Sequence, residues 1–201
     1  MNAISSPILT AELTVENLLL VCMISARLQD DEIRFLLDTI SIKTFKKGTL
    51  LLQEGQRPTE CYHNIKGCIR QFYLKEGEEK TTFFYTEDQS INANGNDRPV
   101  KYYLECIEDT IVSVVSHEKE KELFRKFPRF ESLSRMEMEK RISDYQEMLA
   151  TYIMTSPEER YLNLIKTRPE LLDRVPLYQL ASYIGIKPET LSRIRKRIMS
   201  K

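Results

Sequence analysis

What the sequence lacks already excludes several classes of protein. No apolar run approaches the roughly 18 residues of a membrane-spanning helix, and residues 1–25 contain no basic segment leading into an unbroken apolar stretch. We therefore expect neither a membrane-spanning nor a secreted protein. The four cysteines, Cys22, Cys61, Cys68 and Cys106, form no C-x-x-C pair, so neither a zinc ribbon nor a disulfide framework is encoded. The glycine fingerprints of P-loop and Rossmann sites are absent too. These absences fit a protein of the reducing cytoplasm that has no metal site.

In other respects the composition is that of a soluble globular protein of one or two domains. The chain has 201 residues, of which 41% are hydrophobic and 30% charged. Its net charge of zero conceals a gradient, because residues 1–157 carry 20 Lys and Arg against 25 Asp and Glu, whereas residues 177–201 carry six against one. A basic end on an acidic body is typical of a chain that meets a polyanion there, although a solvated basic tail has the same composition.

The order of the patterns predicts helix, then strands, then helix. Residues 1–40 have apolar residues at helical spacing, first at Leu18, Leu19, Val21 and Cys22 and then at Ile33, Leu36, Leu37 and Ile40. Between Ile42 and Val115, short runs of β-branched and aromatic residues alternate with regularly spaced glycines, which favours an all-β sandwich or barrel. The segment Lys75–Glu78 between two such runs predicts a hairpin turn.

Residues 118–154 return to helical spacing and carry a short heptad seam. Its members are Met138, Ile142, Tyr145, Leu149 and Tyr152. Two interpretations are open. The helix lies on its own β domain, or it packs against the same helix of a second copy and is partly supported by the β domain.

A new helix, and with it a second domain, is predicted to begin after a hinge at residues 153–156. Ser156 is a good helix cap, Pro157 suits the first helical position, and Glu159 lies three residues after the cap. The predicted division is a β domain over residues 1–117, a helix over 118–154 and a C-terminal domain over 155–201.

The segment 177–198 fits a helix-turn-helix. Ala181 falls where the two helices touch and only a small side chain fits, and Gly185 falls at the turn, where a positive φ is needed. The rest of the small core is expected to contain Leu180, Ile184, Ile186, Leu191 and Ile194. A proline at the first turn presets the second helix.

The outward face of the second helix carries residue types that read DNA bases. Glu189, Arg193 and Lys196 lie opposite the apolar stripe, with Ser192 at the margin. Arg can bond guanine in two places, and Glu can accept a hydrogen bond from the cytosine amino group. Four flanking residues suit DNA phosphates: Lys187, Thr190, Arg195 and Arg197. The alternative is an i, i+4 salt bridge between Glu189 and Arg193 on a solvated helix, and the two interpretations are compatible.

From about Leu28 to Lys196 the chain resembles the Crp/Fnr family of bacterial transcription regulators. The resemblance is carried by the glycine-punctuated segment 45–84, by LECIEDTIVSVVS at 104–116, by the long helix and above all by LASYIGIKPETLSRIRKRI at 180–198. It implies an α+β chain. The expected parts are an N-terminal double-stranded β-helix (jelly-roll) domain of the cyclic-nucleotide-binding type, a long dimerisation helix and a C-terminal winged helix-turn-helix. The wing is expected to be reduced or missing.

The resemblance also implies a partner and a mode of action. Such regulators bind pseudo-palindromic DNA as homodimers and recruit or block RNA polymerase. The base-reading Glu and Arg of the family fall on Glu189 and Arg193, whereas another reading position, often Arg, is Pro188 here. The preferred DNA half-site is therefore expected to differ.

Three departures from the family concern its effectors. Cyclic-AMP-binding members carry Gly-Glu followed about ten residues later by Arg-Ser or Arg-Thr, which cradle a phosphate. Residues 85–103 have no Gly-Glu, and their one arginine, Arg98, precedes a proline. Cyclic-nucleotide binding is therefore not expected, and Arg98 is the one candidate for an effector pocket. The cysteine spacing does not suit an N-terminal iron–sulfur cluster. Only His63 and His117 could ligate haem, and a lone histidine is more often an ordinary surface or core residue. Neither an iron–sulfur cluster nor haem is therefore expected.

Two rival functions have weaker support. The carboxylates of Glu105, Glu108 and Asp109, and the pair Cys61 and His63, match no catalytic motif, so an enzyme is not expected. The other rival is a β-roll sensor module that acts through protein partners without reading bases, and the basic face of residues 187–197 argues against it. We therefore predict a cytoplasmic, homodimeric DNA-binding transcription regulator, whose β domain either senses an unidentified small molecule or serves as a platform.

Overall fold

The computed structural model describes residues 28–91 and 98–199. Helix α1 (Asp30–Thr39) confirms the second of the two early helical patterns, and the first, at Leu18–Cys22, lies outside the described residues. The backbone N–H of Gln29 donates to Glu32 Oε2 at 2.7 Å, which closes a capping box at the start of α1. Leu36 of this helix is buried in a small cluster with Leu123.

Eight strands are described, and they form two four-stranded antiparallel sheets. They are β1 (Ser41–Phe45), β2 (Leu50–Leu52), β3 (Glu60–Lys66), β4 (Ile69–Lys75), β5 (Glu78–Tyr85), β6 (Gln89–Ile91), β7 (Tyr103–Cys106) and β8 (Thr110–Ser116). Sheet I has the order β1-β8-β3-β6 and sheet II the order β2-β7-β4-β5, so β5 is an edge strand. The all-β prediction for this region is confirmed.

The predicted hairpin turn joins β4 to β5. Glu76 and Gly77 at its tip have φ values of 54° and 78°, as a tight turn between antiparallel strands requires. Between the two sheets, side chains from both share one core, in which Ile69 and Leu104 of sheet II meet Val112 of sheet I. The β domain is therefore a sandwich closed by its own inward-facing side chains.

The predicted single helix over residues 118–154 is two helices in the structure. Helix α2 (His117–Lys126) ends where the Phe127 backbone N–H donates to the Leu123 carbonyl oxygen at 2.8 Å. Helix α3 (Pro128–Met154) begins directly afterwards. Proline has no backbone N–H and clashes with the preceding turn, so Pro128 can start a helix but cannot continue one. Seam spacing alone did not reveal this break.

Four further helices follow the predicted hinge. They are α4 (Pro157–Thr167), α5 (Leu171–Arg174), α6 (Leu177–Ile184) and α7 (Pro188–Met199). The Ser156 hydroxyl oxygen accepts from the Glu159 backbone N–H at 3.3 Å, and the Ser156 N–H donates to Glu159 Oε2 at 2.8 Å. This capping box confirms the predicted start of α4. Within the described ranges, no helix is both long and apolar enough to cross a membrane.

Helices α4–α7 and the β domain share a hydrophobic core. Cys68, Phe84 and Ile107 of the β domain lie in one buried cluster with residues such as Leu171 and Leu180 of the C-terminal helices. The predicted boundary at residue 155 therefore marks a change of secondary structure and not a division between two hydrophobic cores.

Candidate nucleic-acid interface

Helices α6 and α7 form the predicted helix-turn-helix. Ala181 is fully buried where the two helices meet. Gly185 ends α6 with φ +82°, a left-handed conformation that costs glycine little. A β-carbon at position 185 would also meet the hydroxyl group of Tyr152, so a larger residue there would have to displace that side chain.

The apolar stripe of α7 lies where the sequence predicts it. Leu191 is 0% exposed and Ile194 is also buried, and both pack against Leu180 and Ile184 of α6 in the shared cluster. Ile186 is only partly buried against the same cluster. These contacts fix the rotation of α7 about its axis, and with it the direction in which the opposite face points.

The opposite face of α7 is exposed. Glu189, Ser192, Arg193 and Lys196 all have exposed side chains. Arg193 Nη2 donates to Thr190 Oγ1 at 3.2 Å, and within the described residues no ion pair joins Arg193 to Glu189. The alternative of a salt bridge between these two residues is therefore not what the structure has. Both side chains keep hydrogen-bonding groups available for another molecule.

The residues that flank this face differ in how freely they can move. Lys187 is exposed in the turn before α7, Thr190 is half-buried, and Arg195 is half-buried farther along the helix. Arg197 is paired with Glu158 of α4. An ion pair of this kind fixes the Arg197 guanidinium relative to α4.

The predicted seam on α3 is divided in the structure. Met138, Ile142 and Leu149 are exposed, and no residue of the 27-residue helix is buried. Tyr145 instead packs edge-to-face on Phe83 of the β domain, with ring centroids 5.6 Å apart. The interpretation that α3 lies on its own β domain is therefore confirmed at Tyr145, and packing against a second copy stays a prediction.

Tyr152, the last residue of the seam, contacts the C-terminal helices. The Arg160 guanidinium lies over its ring, 4.3 Å from the centroid. Arg160 also donates from Nη1 to the carbonyl oxygens of Tyr152 and Thr155, and from Nε to that of Ile184. Tyr152 and Arg160 thus connect the end of α3 to the helix-turn-helix. Sequence reasoning missed Arg160, because a half-buried arginine near a helix start has no local signature.

The candidate effector residue and the histidines have ordinary surroundings. Arg98 is exposed and makes no ion pair with another described residue. His63 Nδ1 lies 3.0 Å from Ser90 Oγ, and burial lowers the pKa of His63. The described part of the chain contains no cluster of three or more His, Cys, Asp or Glu residues that could hold a metal ion.

The groups considered for catalysis are engaged elsewhere. Glu105 accepts from Arg70 at 2.6 Å, and Glu108 and Asp109 are bound by Arg174 and Lys46 respectively. Burial, with the nearby Glu120 carboxylate, raises the pKa of the Cys61 thiol to about 12, so the thiolate nucleophile is disfavoured.

Comparison with solved structures identifies the fold. The chain is similar to the global regulator CLP of Xanthomonas campestris, described as responsive to c-di-GMP, over 86% of its own length and 92% of that chain, with 16% identity and a TM-score of 0.66. It is similar to FixK2 of Bradyrhizobium japonicum over 80% and 85%, with 14% identity and a TM-score of 0.68. For a Crp/Fnr-family transcriptional regulator of Eubacterium rectale the values are 86% and 84%, 14% and 0.66. No protein-family model matches the sequence, and no curated protein matches it.

At these identities the likeness shows the fold alone. It covers 80–86% of this chain and 84–92% of the other chains in these comparisons. Such neighbours are transcription regulators and not enzymes. The chain therefore has the fold of the Crp/Fnr transcription regulators.

Proposed function

We propose that this protein is a sequence-specific DNA-binding transcription regulator, which acts in the cytoplasm and binds pseudo-palindromic DNA as a homodimer. The observation that carries the proposal is the face of α7. Glu189, Arg193 and Lys196 are exposed there, and in the described part of the chain none of the three is held in an ion pair. Unused hydrogen-bonding groups on a helix of fixed rotation are what the base edges of a major groove require.

The proposed roles follow from the chemistry of each side chain. Arg193 can donate two hydrogen bonds to guanine, and Glu189 can accept one from the cytosine amino group. Lys196 and Ser192 extend the same face. Four residues at its borders would contact phosphates and set the register: Lys187, Thr190, Arg195 and Arg197. The surplus of basic residues after position 177 supports this assignment, because phosphates supply most of the non-specific attraction.

The proposed dimer is formed along α3. This helix has exposed Met138, Ile142 and Leu149 side chains on a surface that no other described element covers. A second copy of the same chain fits this surface best, because a two-fold axis alongside α3 would place the same apolar surface of both copies face to face. The two α7 helices of such a dimer need a separation of about one DNA turn, roughly 34 Å, to reach successive major grooves.

The remaining partners are proposed more generally. A dimer bound at a promoter would recruit or block RNA polymerase. The β domain is proposed not to bind cyclic AMP. Arg98 is the one arginine of residues 85–103, and that segment lacks the Gly-Glu of a phosphate cradle. An unidentified small molecule is the candidate effector, and thermal shift with a set of small molecules is the direct way to find one.

The test is selection of binding sites followed by a salt titration. The purified protein selects duplexes from a random pool, and its affinity for the selected sequence is measured between about 50 and 200 mM salt. We expect a two-fold symmetric consensus, and an affinity that falls by about 0.9 log units per log unit of salt for each phosphate contact.

A matched control uses a scrambled duplex of the same length and composition. The scrambled duplex should show a similar salt slope at much weaker affinity, because phosphate contacts do not depend on sequence. If no sequence is enriched and the scrambled duplex binds equally well, the alternative of a β-roll module acting through protein partners replaces the proposal.

A further inference from the structure

Helix α6 is fixed to the open edge of sheet II. The Ser182 hydroxyl accepts from the Thr81 backbone N–H at 2.9 Å and donates to the Glu79 carbonyl oxygen at 2.9 Å. Because β5 is an edge strand, these backbone groups have no neighbouring strand to bond. One side chain of the helix-turn-helix therefore satisfies two backbone groups of the β domain.

Aromatic packing surrounds this contact. Phe84 of β5 meets Tyr183 of α6 edge-to-face, with ring centroids 5.2 Å apart. Phe84, Cys68 and Leu171 are completely buried in the shared cluster. Moving the C-terminal helices away from sheet II would expose these side chains to water, which opposes such a movement.

On the other side of this contact, Arg174 forms ion pairs with two carboxylates of the β domain. Arg174 Nη1 and Nη2 donate to the two carboxylate oxygens of Glu87, each at 2.8 Å, and Arg174 Nε donates to Glu108 Oε1 at 3.1 Å. Arg168 Nη2 adds a hydrogen bond to Thr86 Oγ1 at 3.2 Å. A bidentate pair fixes direction as well as distance. We call the contacts of Ser182, Tyr183, Arg168 and Arg174 with the β domain the docking interface.

The docking interface leaves the face of α7 uncovered. Arg193 and Lys196 are exposed while Ser182 and Arg174 are bound to sheet II. DNA contact by α7 therefore does not require the interface to open. At the other end, Arg160 ties the carbonyl oxygen of Ile184 to that of Thr155, which limits rotation about the predicted hinge.

We propose that the docking interface is a permanent lock: the helix-turn-helix stays on sheet II when it binds DNA, and sheet II sets the orientation of α7. Residues 153–156 then form a rigid connection between α3 and α4 and do not act as a hinge. The consequence is preorganisation, because a reading helix that is already fixed loses little conformational freedom on binding. For its DNA measurements this inference rests on the proposed function.

The first experiment fixes the interface covalently. In Thr81→Cys/Ser182→Cys, oxidised glutathione joins the two new thiols, and peptide mass spectrometry verifies the bond. The lock predicts that the oxidised form binds the selected duplex at least as tightly as the reduced form, which lacks the hydrogen bonds of the Ser182 hydroxyl. An oxidised form that loses at least about tenfold in affinity, and regains it on reduction, would show that the helices must leave sheet II.

The second experiment loosens the interface and does not depend on the cross-link. Arg174→Ala should weaken binding to the selected duplex by at least about fivefold, because a mobile helix must be ordered again on DNA. Lys46→Ala, which removes the ion pair between Lys46 and Asp109 on the β domain, is the matched control and should leave affinity unchanged. Tighter binding by Arg174→Ala would overturn the lock and make the interface autoinhibitory.

A third measurement needs no DNA, so that failure of the lock can be told from failure of the proposed function. Hydrogen exchange of the free protein should show the amides of Thr81 and Leu180 protected as strongly as those of Val112 in the sandwich core. Fast exchange at Thr81 and Leu180 alone would show local undocking and overturn the lock, whether or not the protein binds DNA.

Discussion

Helices α7 and α3 use their apolar residues in opposite ways. In α7, Leu191 is 0% exposed because α6 and the shared cluster cover it. In α3, which is more than twice as long, no residue is buried, and Leu149 is 58% exposed. A helix that completes its packing inside its own chain has a free polar face for another molecule. A helix whose apolar residues stay uncovered presents a surface that another chain could cover, as the proposed dimer does.

The largest effect is expected where this contrast is strongest, at Leu149. Leu149→Asp should convert the proposed dimer to a monomer, because each copy would bury an uncompensated charge, at a cost of at least about 3 kcal/mol. Light scattering at micromolar concentration should show the mass fall by half. Gln146→Asp places the same charge at an exposed polar position of α3 and should leave the dimer intact. An unchanged mass for Leu149→Asp would mean that this part of the seam is not an interface.

The next effect tests the other member of the comparison. Leu191→Ala should lower the free energy of unfolding by about 2–5 kcal/mol, since it leaves a cavity in a core from which water is excluded. Urea denaturation measures the change. Leu162→Ala, at an exposed leucine of α4, is the matched control and should cost less than about 1 kcal/mol. Equal costs for the two variants would contradict the assignment of Leu191 to a closed core.

The contrast between α7 and α3 also explains how much could be predicted from the sequence. Ala181, Gly185 and Leu191 lie close together in the sequence, so their positions follow from spacing and from the space that each side chain needs, although the core around them also includes residues of the β domain. The order of sandwich and helices was also predictable, because the spacing of the apolar residues changes from one segment to the next. In α3, spacing identified the apolar residues but not their partners. Tyr145 turns to Phe83 on a strand more than 60 positions away, which no local pattern encodes.

The docking interface was not predictable at all. Arg174 is 87 positions from Glu87, and Ser182 is 101 positions from Thr81. Both side chains are common surface types, so their sequence gives no sign that a strand edge or a carboxylate pair meets them. The prediction of a second domain over residues 155–201 rested on helix signals alone. Those signals cannot tell whether the new helices pack on each other or on an earlier sheet.

A smaller effect is expected on the outward face of α7. Arg193→Ala should weaken the free energy of binding to the cognate duplex by about 1–3 kcal/mol, because a bidentate contact to guanine disappears. It should also relax selectivity at that base pair. Binding to a set of single-base variants of the selected duplex measures this. Lys187→Ala is the control: it should weaken binding uniformly and reduce the salt slope by about one. An equal loss on cognate and scrambled DNA would show that Arg193 contacts only phosphate.

The smallest effect concerns the ion pair between Arg174 and Glu87 in the docking interface. The stability that this pair contributes should depend on acid pH, whereas the apolar surface of α3 has no such dependence. Hydrogen bonds from Arg174, with help from the Gly67 backbone N–H, lower the pKa of Glu87 to about 2. A carboxyl group with a lowered pKa stabilises the folded state above its ordinary pKa of about 4.3, and this contribution is lost as the pH falls towards 2. Glu87 is partly exposed, so its contribution should stay below about 1 kcal/mol. Thermal unfolding of wild type and Glu87→Gln should therefore differ at pH 5 and converge towards pH 2.5. In an Arg174→Met background the difference should be small at both pH values, and a difference that persists there would assign the acid response to another group.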